Sequence, residues 1–273
     1  MNRRGGPPRA KDKLRDLNVR PSRERGQNFL IRPDIIDSIV NFAAVPDTGA
    51  VVEIGPGMGA LTQQLDRYED LTLIEIEPNF CEHLRARFPR ARIINRDVRE
   101  IDFESIGGSL FVFGNIPYVF STDIVFALLR FRRVVRQAVL MVQREFAERL
   151  AATPGGREYG SISVAVQVHA DIDLGPIVPG TSFHPPTSVE SRVIKISFLP
   201  APRAAIDDPE HFEVVVRSAF SQRRKKLINS LLSRGRWSKD AILAALAESS
   251  ISPDIRPEQL SIAQFAELSK WLR

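Results

Sequence analysis

Short, almost continuously apolar segments alternate with helix-length amphipathic segments through the middle of the chain. Strands that are buried on both faces show this pattern, because helices cover each side of the sheet. The predicted helices between them include Asn79–Phe88 and Thr122–Phe131. The alternation predicts a doubly wound, mostly parallel α/β sheet. Its predicted strands are Ala50–Ile54, Leu71–Ile76, Arg92–Asn95, Leu110–Gly114 and Ala138–Val142.

The pattern changes at both ends of this α/β region. Two further apolar runs, Ile162–Val168 and Arg192–Phe198, read as strands, and Leu199–Pro209 has the composition of a linker. The apolar positions beyond it follow a helical period, which predicts a small all-helical C-terminal domain. We therefore divide the chain into an arm at 1–26, an α/β domain at 27–199 and a helical domain at 200–273.

Composition narrows the class of protein. Of 273 residues, 43% are hydrophobic and 26% charged, so most of the chain is expected to fold. The single cysteine, Cys81, excludes an intrachain disulfide, and we predict no metal site. No apolar run reaches the roughly 18 residues of a membrane span, so we expect a cytoplasmic protein without a membrane partner.

Charge is uneven along the chain. The formal net charge is +5, which is compatible with a nucleic-acid partner without demonstrating one. Met1–Arg25 is basic and rich in Gly and Pro, and we expect it to be a flexible arm. A second basic run, Arg223, Arg224, Lys225 and Lys226, follows an apolar helical stretch, so we expect several of these side chains to project outward. They contact RNA phosphates or merely aid solubility.

Three glycines at alternate positions follow the first predicted strand. Gly55, Gly57 and Gly59 come directly after Glu53 and Ile54. Glycines at a strand-to-helix turn permit positive φ and let a ligand approach the backbone. The spacing differs from the dinucleotide motif, and an acid at this position suits a ligand with an ammonium group. We interpret the segment as the S-adenosylmethionine (SAM) loop of a Rossmann-like, SAM-dependent methyltransferase domain. The alternative is a tight turn without a ligand.

Polar residues end the next three predicted strands. Glu75, about 20 residues after the glycine loop, is placed to accept ribose hydroxyl groups, with Glu77 as a competitor. Asp97 is placed to accept the amino group of a cofactor adenine. Asn115 ends the fourth strand. Because parallel strands bring their carboxyl ends to one edge, we expect these groups to meet there.

The segment Asn115-Ile116-Pro117-Tyr118 carries the chemistry. The Asn115 amide oxygen and the Ile116 carbonyl can accept both hydrogens of an exocyclic base amine. That arrangement favours a pyramidal nitrogen, and both bonds strengthen as positive charge develops on it. Tyr118 offers a stacking surface for the base. A proline-stiffened turn with a core tyrosine is the structural alternative.

Taken together, these motifs resemble the small-subunit ribosomal RNA adenine N6,N6-dimethyltransferase family. The resemblance runs from Gln27 to the C-terminus. Its motifs are Gln27-Asn28-Phe29-Leu30, Glu53-Ile-Gly-Pro-Gly-Met-Gly59, Glu75, Asp97, Asn115-Ile-Pro-Tyr118, Tyr159-Gly160, Phe183-x-Pro-Pro186, Phe220-Ser-Gln-Arg-Arg-Lys225 and Arg256-Pro-Glu-Gln-Leu-Ser261.

The resemblance implies specific roles. It implies a target adenine between Tyr118 and Phe183, with Ile116 and Pro117 shaping the turn. It also implies two adjacent adenines in a hairpin near the 3′ end of small-subunit ribosomal RNA, each methylated twice on a late assembling particle. We separately expect a monomer. Val119 and Thr187-Ser188 depart from the family pattern. The implied SAM contacts are Asn28, Leu30, Gly55, Glu75, Asp97 and Asn115.

Two other functions fit the same sequence. Macrolide-resistance methyltransferases of large-subunit ribosomal RNA share the Asn-x-Pro-Tyr type of motif but usually differ in the helical C-terminal part. A non-catalytic RNA-binding assembly or transcription factor on the same fold is the third possibility. Loss of the SAM residues would indicate such a factor, and this chain keeps them.

Overall fold

The computed structural model describes residues 14–15, 28–222 and 225–273 of the chain. Its main sheet has the strand order β4-β3-β2-β5-β6-β9-β7, and a separate two-stranded sheet pairs β1 with β8. The strands are β1 (Phe29–Leu30), β2 (Ala50–Ile54), β3 (Leu71–Glu75), β4 (Arg92–Asn95), β5 (Leu110–Asn115), β6 (Val135–Gln143), β7 (Ala170–Val178), β8 (Phe183–His184) and β9 (Ser191–Phe198).

The main sheet is mostly parallel. Strands β4, β3, β2, β5 and β6 run parallel to their neighbours, and β9 joins β6 antiparallel. The central strand β2 is buried from Val51 to Ile54, as expected for a strand covered on both faces. All five strands predicted for the centre of the sheet are present, with small shifts at their ends. The carboxyl ends of β2, β3, β4 and β5 therefore lie along one edge.

The helices begin where the sequence supplies caps. The side chains of Asp208, Ser238 and Ser261 accept hydrogen bonds from backbone N–H groups in the first turn of the helices that follow them. The helices are α1 (Pro33–Ala43), α2 (Thr62–Leu65), α3 (Pro78–Arg87), α4 (Ser121–Arg130), α5 (Arg144–Ala151), α6 (Ser161–Gln167), α7 (Pro209–Ala219), α8 (Leu227–Leu232), α9 (Lys239–Glu248) and α10 (Ile262–Trp271).

One predicted strand is wrong. The segment Ile162–Val168 forms helix α6, and the strand that follows it, β7, was not predicted. The backbone N–H of Gly160 donates to Ser163 Oγ, which fixes the first turn of the helix. Because Val164 and Val168 pack in a buried cluster with Tyr159, tertiary packing outweighs the modest preference of β-branched residues for strands.

The chain divides into two compact units. The first comprises Met1–Ala147 and Asp173–Phe198, and the second comprises Glu148–Ile172 and Leu199–Arg273. The second unit thus includes 148–172, a segment that the sequence pattern placed in the α/β domain. Its buried cluster is built largely from α7, α8, α9 and α10.

Little of the N-terminal arm is described. Leu14 and Arg15 are helical, and Leu14 is buried within the core cluster that contains Ile36 and Ile39, so the arm is not uniformly exposed as its composition predicts. The other arm residues and Gln27 lie outside the described residues. Among those that are described, no helix has both the length and the apolar character needed to cross a membrane.

Candidate active site

A cavity of about 220 Å³ opens at the carboxyl edge of the parallel strands. It is bordered by the ends of β2, β3 and β5 and by the loops after β4 and β5. Gly55, Glu75, Asp97 and Asn115, which come from four different strand ends, all line it. These side chains therefore meet, as the order of the motifs along the chain predicts. The other lining residues are Asn28, Phe29, Ile54, Ile74, Ile76, Arg96, Val98, Arg99, Ile116, Pro117, Tyr118, Phe120 and Ile124.

The glycine loop has the backbone that its sequence requires. Gly55, Gly57 and Gly59 have φ values of 67°, 54° and 77°, where other residues are strained. A Cβ on Gly57 would lie 2.9 Å from the ring of Phe29, whereas a Cβ on Gly55 would meet only the Asn115 carbonyl, at 3.8 Å. Gly55 thus leaves open space facing the cavity, and Gly57 allows close packing behind it.

Glu75 is held by the backbone on both carboxylate oxygens. Gly57 N–H donates to Oε2 at 3.0 Å and Glu77 N–H donates to Oε1 at 2.9 Å. Burial raises the pKa of Glu75, and these backbone bonds oppose the rise. A carboxylate oxygen accepts more than one hydrogen bond, so each oxygen keeps capacity for a ligand hydroxyl. Glu75 lines the cavity and its competitor Glu77 does not.

Glu53 occupies a different position. It is almost fully buried, receives a 2.6 Å hydrogen bond from Thr62 Oγ1, and lines a smaller cavity of about 40 Å³ shared with Leu30, Gly55 and Asn115. Burial raises the pKa of Glu53 to about 8; Thr62 opposes the rise and the charge of Glu75 adds to it. Glu53 is therefore mostly protonated at neutral pH when no cation lies beside it.

A buried acid of this kind makes stability depend on pH. The folded protein retains the Glu53 proton up to about pH 8, whereas the unfolded chain releases it near the ordinary pKa of 4.5, so rising pH favours unfolding. Between pH 6 and pH 7 this group should lower the free energy of unfolding by about 1 kcal/mol. Glu53→Gln should remove that slope in urea titrations, and Glu69→Gln, at an exposed site, should keep it. Equal slopes in all three proteins would show that Glu53 is ionised when buried.

Asn115 is fixed through its amide nitrogen. Nδ2 donates a 2.9 Å hydrogen bond to the Asn28 carbonyl, which lies just before β1. The amide oxygen Oδ1 is thereby turned away from that carbonyl and is the acceptor of the side chain. The ladder of β5 with β6 ends at the Asn115–Met141 pair, so the Ile116 carbonyl lies beyond the last paired residue. Asn115 and Ile116 both line the cavity.

Tyr118 is anchored through its hydroxyl. It makes a 2.6 Å hydrogen bond with Ser191 Oγ, and Ser191 is fully buried at the start of β9. Burial raises the pKa of Tyr118, and the Ser191 bond partly offsets this. A phenol with a raised pKa is a poor general base near neutral pH. The half-buried ring lines the cavity and is available for stacking.

Asp97 has an intramolecular partner that sequence reasoning did not identify. Arg99 Nε lies 3.0 Å from Oδ1 and 3.2 Å from Oδ2, its Nη2 also donates to Oδ2, and its backbone N–H donates to Oδ1 at 2.9 Å. The side-chain bond with Arg99 holds the pKa of Asp97 below its usual range. An acid and an arginine two residues apart are common in loops, so the spacing alone carried no signal.

Phe183 and Leu30 lie away from the main cavity. They are register partners in the β1–β8 pair, and Phe183 is only 2% exposed within the core cluster. Leu30 lines the smaller cavity. Phe183 is not among the residues that line the main cavity, where the aromatic rings besides Tyr118 are Phe29 and Phe120.

The basic run in the helical unit is partly described. Arg223 and Arg224 lie outside the described residues. Lys225 is exposed, whereas the exposed Lys226 forms an ion pair with Asp254 at 2.5 Å. A cation that already has an acidic partner is less available for a phosphate group.

Residues 20–273 match the sequence profile of a family described as "Ribosomal RNA adenine dimethylase". The chain belongs to this family. The match covers the α/β region and the helical C-terminal region together.

Curated relatives carry a more specific name. "Ribosomal RNA small subunit methyltransferase A" of Anoxybacillus flavithermus is 37% identical over 97% of this chain and 95% of its own length. The protein of the same name from Geobacillus thermodenitrificans is 39% identical over 97% of this chain and 96% of its own length. Both alignments span nearly the whole of each protein.

Solved structures show the same fold. A dimethyladenosine transferase from Plasmodium falciparum has a TM-score of 0.75 at 23% identity, covering 88% of this chain and 95% of its own. The 23S ribosomal RNA methyltransferase ErmE has a TM-score of 0.70 at 24% identity, covering 90% of this chain and 99% of its own. The predicted Rossmann-like methyltransferase fold is confirmed.

Family membership fixes the enzyme class. The protein is a SAM-dependent ribosomal RNA adenine dimethyltransferase, as the sequence motifs predicted. The cavity fits the cofactor: the open space before Gly55, the buried carboxylate of Glu75 and the acidic Asp97 suit an amino acid, a ribose and an aminopurine respectively.

Proposed function

We propose that this enzyme dimethylates N6 of two adjacent adenines in a 3′-terminal hairpin of small-subunit ribosomal RNA, late in assembly of the subunit. One observation carries the proposal: Asn115, pinned by the Asn28 carbonyl, presents Oδ1 beside the Ile116-Pro117-Tyr118 turn at a cavity that also contains Glu75 and Asp97. The near-full-length relatives named as small-subunit methyltransferases support the choice of subunit.

Cofactor contacts are assigned by the chemistry of each group. Glu75 accepts the ribose hydroxyls, Asp97 the adenine amino group, and the backbone near Gly55 approaches the amino-acid part. Asn28 and Asn115 close the side nearest the reacting base. Leu30 contributes through the smaller cavity, where it packs beside Gly55 and Asn115. When bound, SAM supplies an electrophilic methyl group.

The protein's own groups prepare the target nitrogen. In the first transfer, Asn115 Oδ1 and the Ile116 carbonyl accept the two N–H hydrogens of the adenine amine, which localises its lone pair. The monomethylated amine has one N–H left to donate in the second transfer. Pro117 limits the backbone freedom of this turn. As the nitrogen becomes cationic both hydrogen bonds strengthen, so the stabilisation is greatest in the transition state. The released proton leaves from the nitrogen to solvent and needs no dedicated base.

Aromatic contacts hold the base. Tyr118 stacks on the adenine, with its ring direction set by Ser191. Phe183, which pairs with Leu30 on the strand that follows Asn28, is proposed as the second side of the base pocket. We further propose that the enzyme works as a monomer in the cytoplasm on an assembling 30S-type particle.

A labelling experiment tests the substrate. Methyl-labelled SAM is incubated with unmethylated 30S particles, 50S particles and the corresponding naked RNAs, and the labelled nucleotides are mapped. The proposal requires label on two adjacent adenines of 30S RNA, with each base carrying two methyl groups. Label on large-subunit RNA would favour the macrolide-resistance activity, and no label on any RNA would favour a non-catalytic role.

The basic run provides a separate prediction about RNA affinity. If Arg223, Arg224 and Lys225 contact phosphates, replacing them with Gln, singly and together in a triple variant, should flatten the plot of log affinity for 30S particles against log salt concentration. The slope should fall by roughly 0.7–0.9 for each phosphate that is no longer neutralised. Lys226→Gln should have a smaller effect, because Lys226 is paired with Asp254. Arg157→Gln, at an exposed site, is the charge-matched control. An unchanged slope in the triple variant would limit the run to solubility.

A further inference from the structure

Arg99 connects two parts of the active-site cavity. Its guanidinium group engages both oxygens of Asp97, and its Cζ lies 4.4 Å from the centre of the Phe120 ring. Arg99, Asp97 and Phe120 all line the same cavity. Phe120 ends the turn that begins at Tyr118, so one side chain joins the loop after β4 to the loop that carries the stacking tyrosine.

The contacts leave Asp97 able to accept one more hydrogen bond. Oδ1 receives both Arg99 Nε and the Arg99 backbone N–H, which uses its two lone pairs. Oδ2 receives Nη2 and a longer, shared contact from Nε, so it retains acceptor capacity. The Asp97 side chain is 19% exposed and lines the cavity. The carboxylate is therefore ionised, oriented and still available.

Arg99 also forms part of the outer wall of the cavity. Its side chain is 44% exposed, so one face of the guanidinium meets solvent while the other covers Phe120. Arginine stacks on aromatic rings and binds carboxylates in a fixed planar geometry, which lysine cannot reproduce. The planar group thus restrains Asp97 and Phe120 at the same time.

We propose that Arg99 is a positioning residue for cofactor selection: it holds Asp97 in the orientation that accepts an exocyclic amino group and closes the outer side of the purine subsite. A purine with a carbonyl group at that position presents an acceptor to the Asp97 carboxylate and is rejected. This inference depends on the proposed contact between Asp97 and the cofactor adenine.

Ligand discrimination tests the proposal. Calorimetry would compare S-adenosylhomocysteine with its 6-oxo analogue, S-inosylhomocysteine, in wild type, Arg99→Ala, Arg99→Lys and Arg130→Ala. Wild type should prefer the adenosyl ligand, and Arg99→Ala should narrow that preference about fivefold, within the range for one hydrogen bond. Arg99→Lys should restore part of the preference. Arg130→Ala removes the same charge from an exposed helix position outside the cavity and should match wild type.

The same comparison is made with Asp97→Asn, and four results would contradict the inference. If Asp97→Asn loses the preference but Arg99→Ala retains it, Asp97 contacts the adenine without help from Arg99. If neither variant changes the preference, the contact between Asp97 and adenine is itself wrong. Tighter binding of the adenosyl ligand by Arg99→Ala would identify Arg99 as a competitor for Asp97. A merely structural role would weaken both ligands equally and leave the ratio unchanged, which also contradicts the proposal.

Discussion

Asn115→Ala should lower the single-turnover rate of methylation of 30S particles by about 10²-fold or more, as does loss of one preorganised polar group in other enzymes. The effect should fall on the chemical step, because the hydrogen bond from the target amine to Oδ1 strengthens only as the nitrogen becomes cationic. The KM for RNA should change much less than kcat. Rates measured at saturating SAM separate this loss from any weakening of cofactor binding.

The hydrogen bond to Asn28 sharpens the test. Asn115→Asp keeps an acceptor but replaces the Nδ2 donor with an oxygen that faces the Asn28 carbonyl, 2.9 Å away in the wild type. Asn115→Asp should therefore also be slow. If Asn115 needed only to supply an acceptor oxygen, this variant would keep its activity. Asn41→Ala, on the exposed side of α1, is the control. A raised KM with an unchanged kcat in Asn115→Ala would assign Asn115 to binding alone.

The central sheet was predictable because its strands carry strong and local signals. Ala50–Ile54 and Arg92–Asn95 match the observed bounds, and the others differ only at their ends. Helix α6 was missed because a short β-branched run fits both the helical and the strand periodicity of apolar residues. Only its packing around Tyr159 decides between helix and strand. Strand β7 contains Gly175 and Pro176, which weaken a strand signal in the sequence.

The candidate site shows the same division between local and long-range information. Residues at strand ends were identified because topology alone brings Glu75, Asp97 and Asn115 together. Hydrogen-bond partners that are distant along the chain were not identified. Ser191 is 73 residues from Tyr118, and the Asn28 carbonyl is 87 residues from Asn115. A motif gives an aromatic residue without its direction: Phe183 pairs with Leu30, packs in the core cluster and is not among the residues that line the main cavity.

Tyr118→Ala should reduce activity strongly through the loss of base stacking, which contributes roughly 1–3 kcal/mol per base. That range corresponds to about 5-fold to 150-fold in RNA affinity or in kcat/KM. Tyr118→Phe keeps the stacking surface and should retain nearly full activity on 30S particles. If Tyr118 acted as a general base, the Phe variant would be inactive. The wild-type rate would then rise with pH beyond the ordinary phenol pKa of about 10, because burial raises the pKa of Tyr118.

The bond to Ser191 predicts a stability cost for Tyr118→Phe even where activity survives. Removing the Tyr118 hydroxyl leaves Ser191 Oγ, which is fully buried, without its 2.6 Å partner, so unfolding should become easier by about 1–3 kcal/mol. Ser191→Ala should lower the free energy of unfolding by a similar amount, because it removes the other hydroxyl group of the same hydrogen bond. The double variant Tyr118→Phe, Ser191→Ala removes both polar atoms and should recover part of the loss, because an apolar pair needs no hydrogen bond.

Tyr68→Phe, at another buried hydroxyl outside the cavity, is the control for a general loss of stability. An inactive Tyr118→Phe enzyme with intact SAM binding and near-native stability would overturn the stacking role, and strictly additive losses in the double variant would show that the two hydroxyls do not interact.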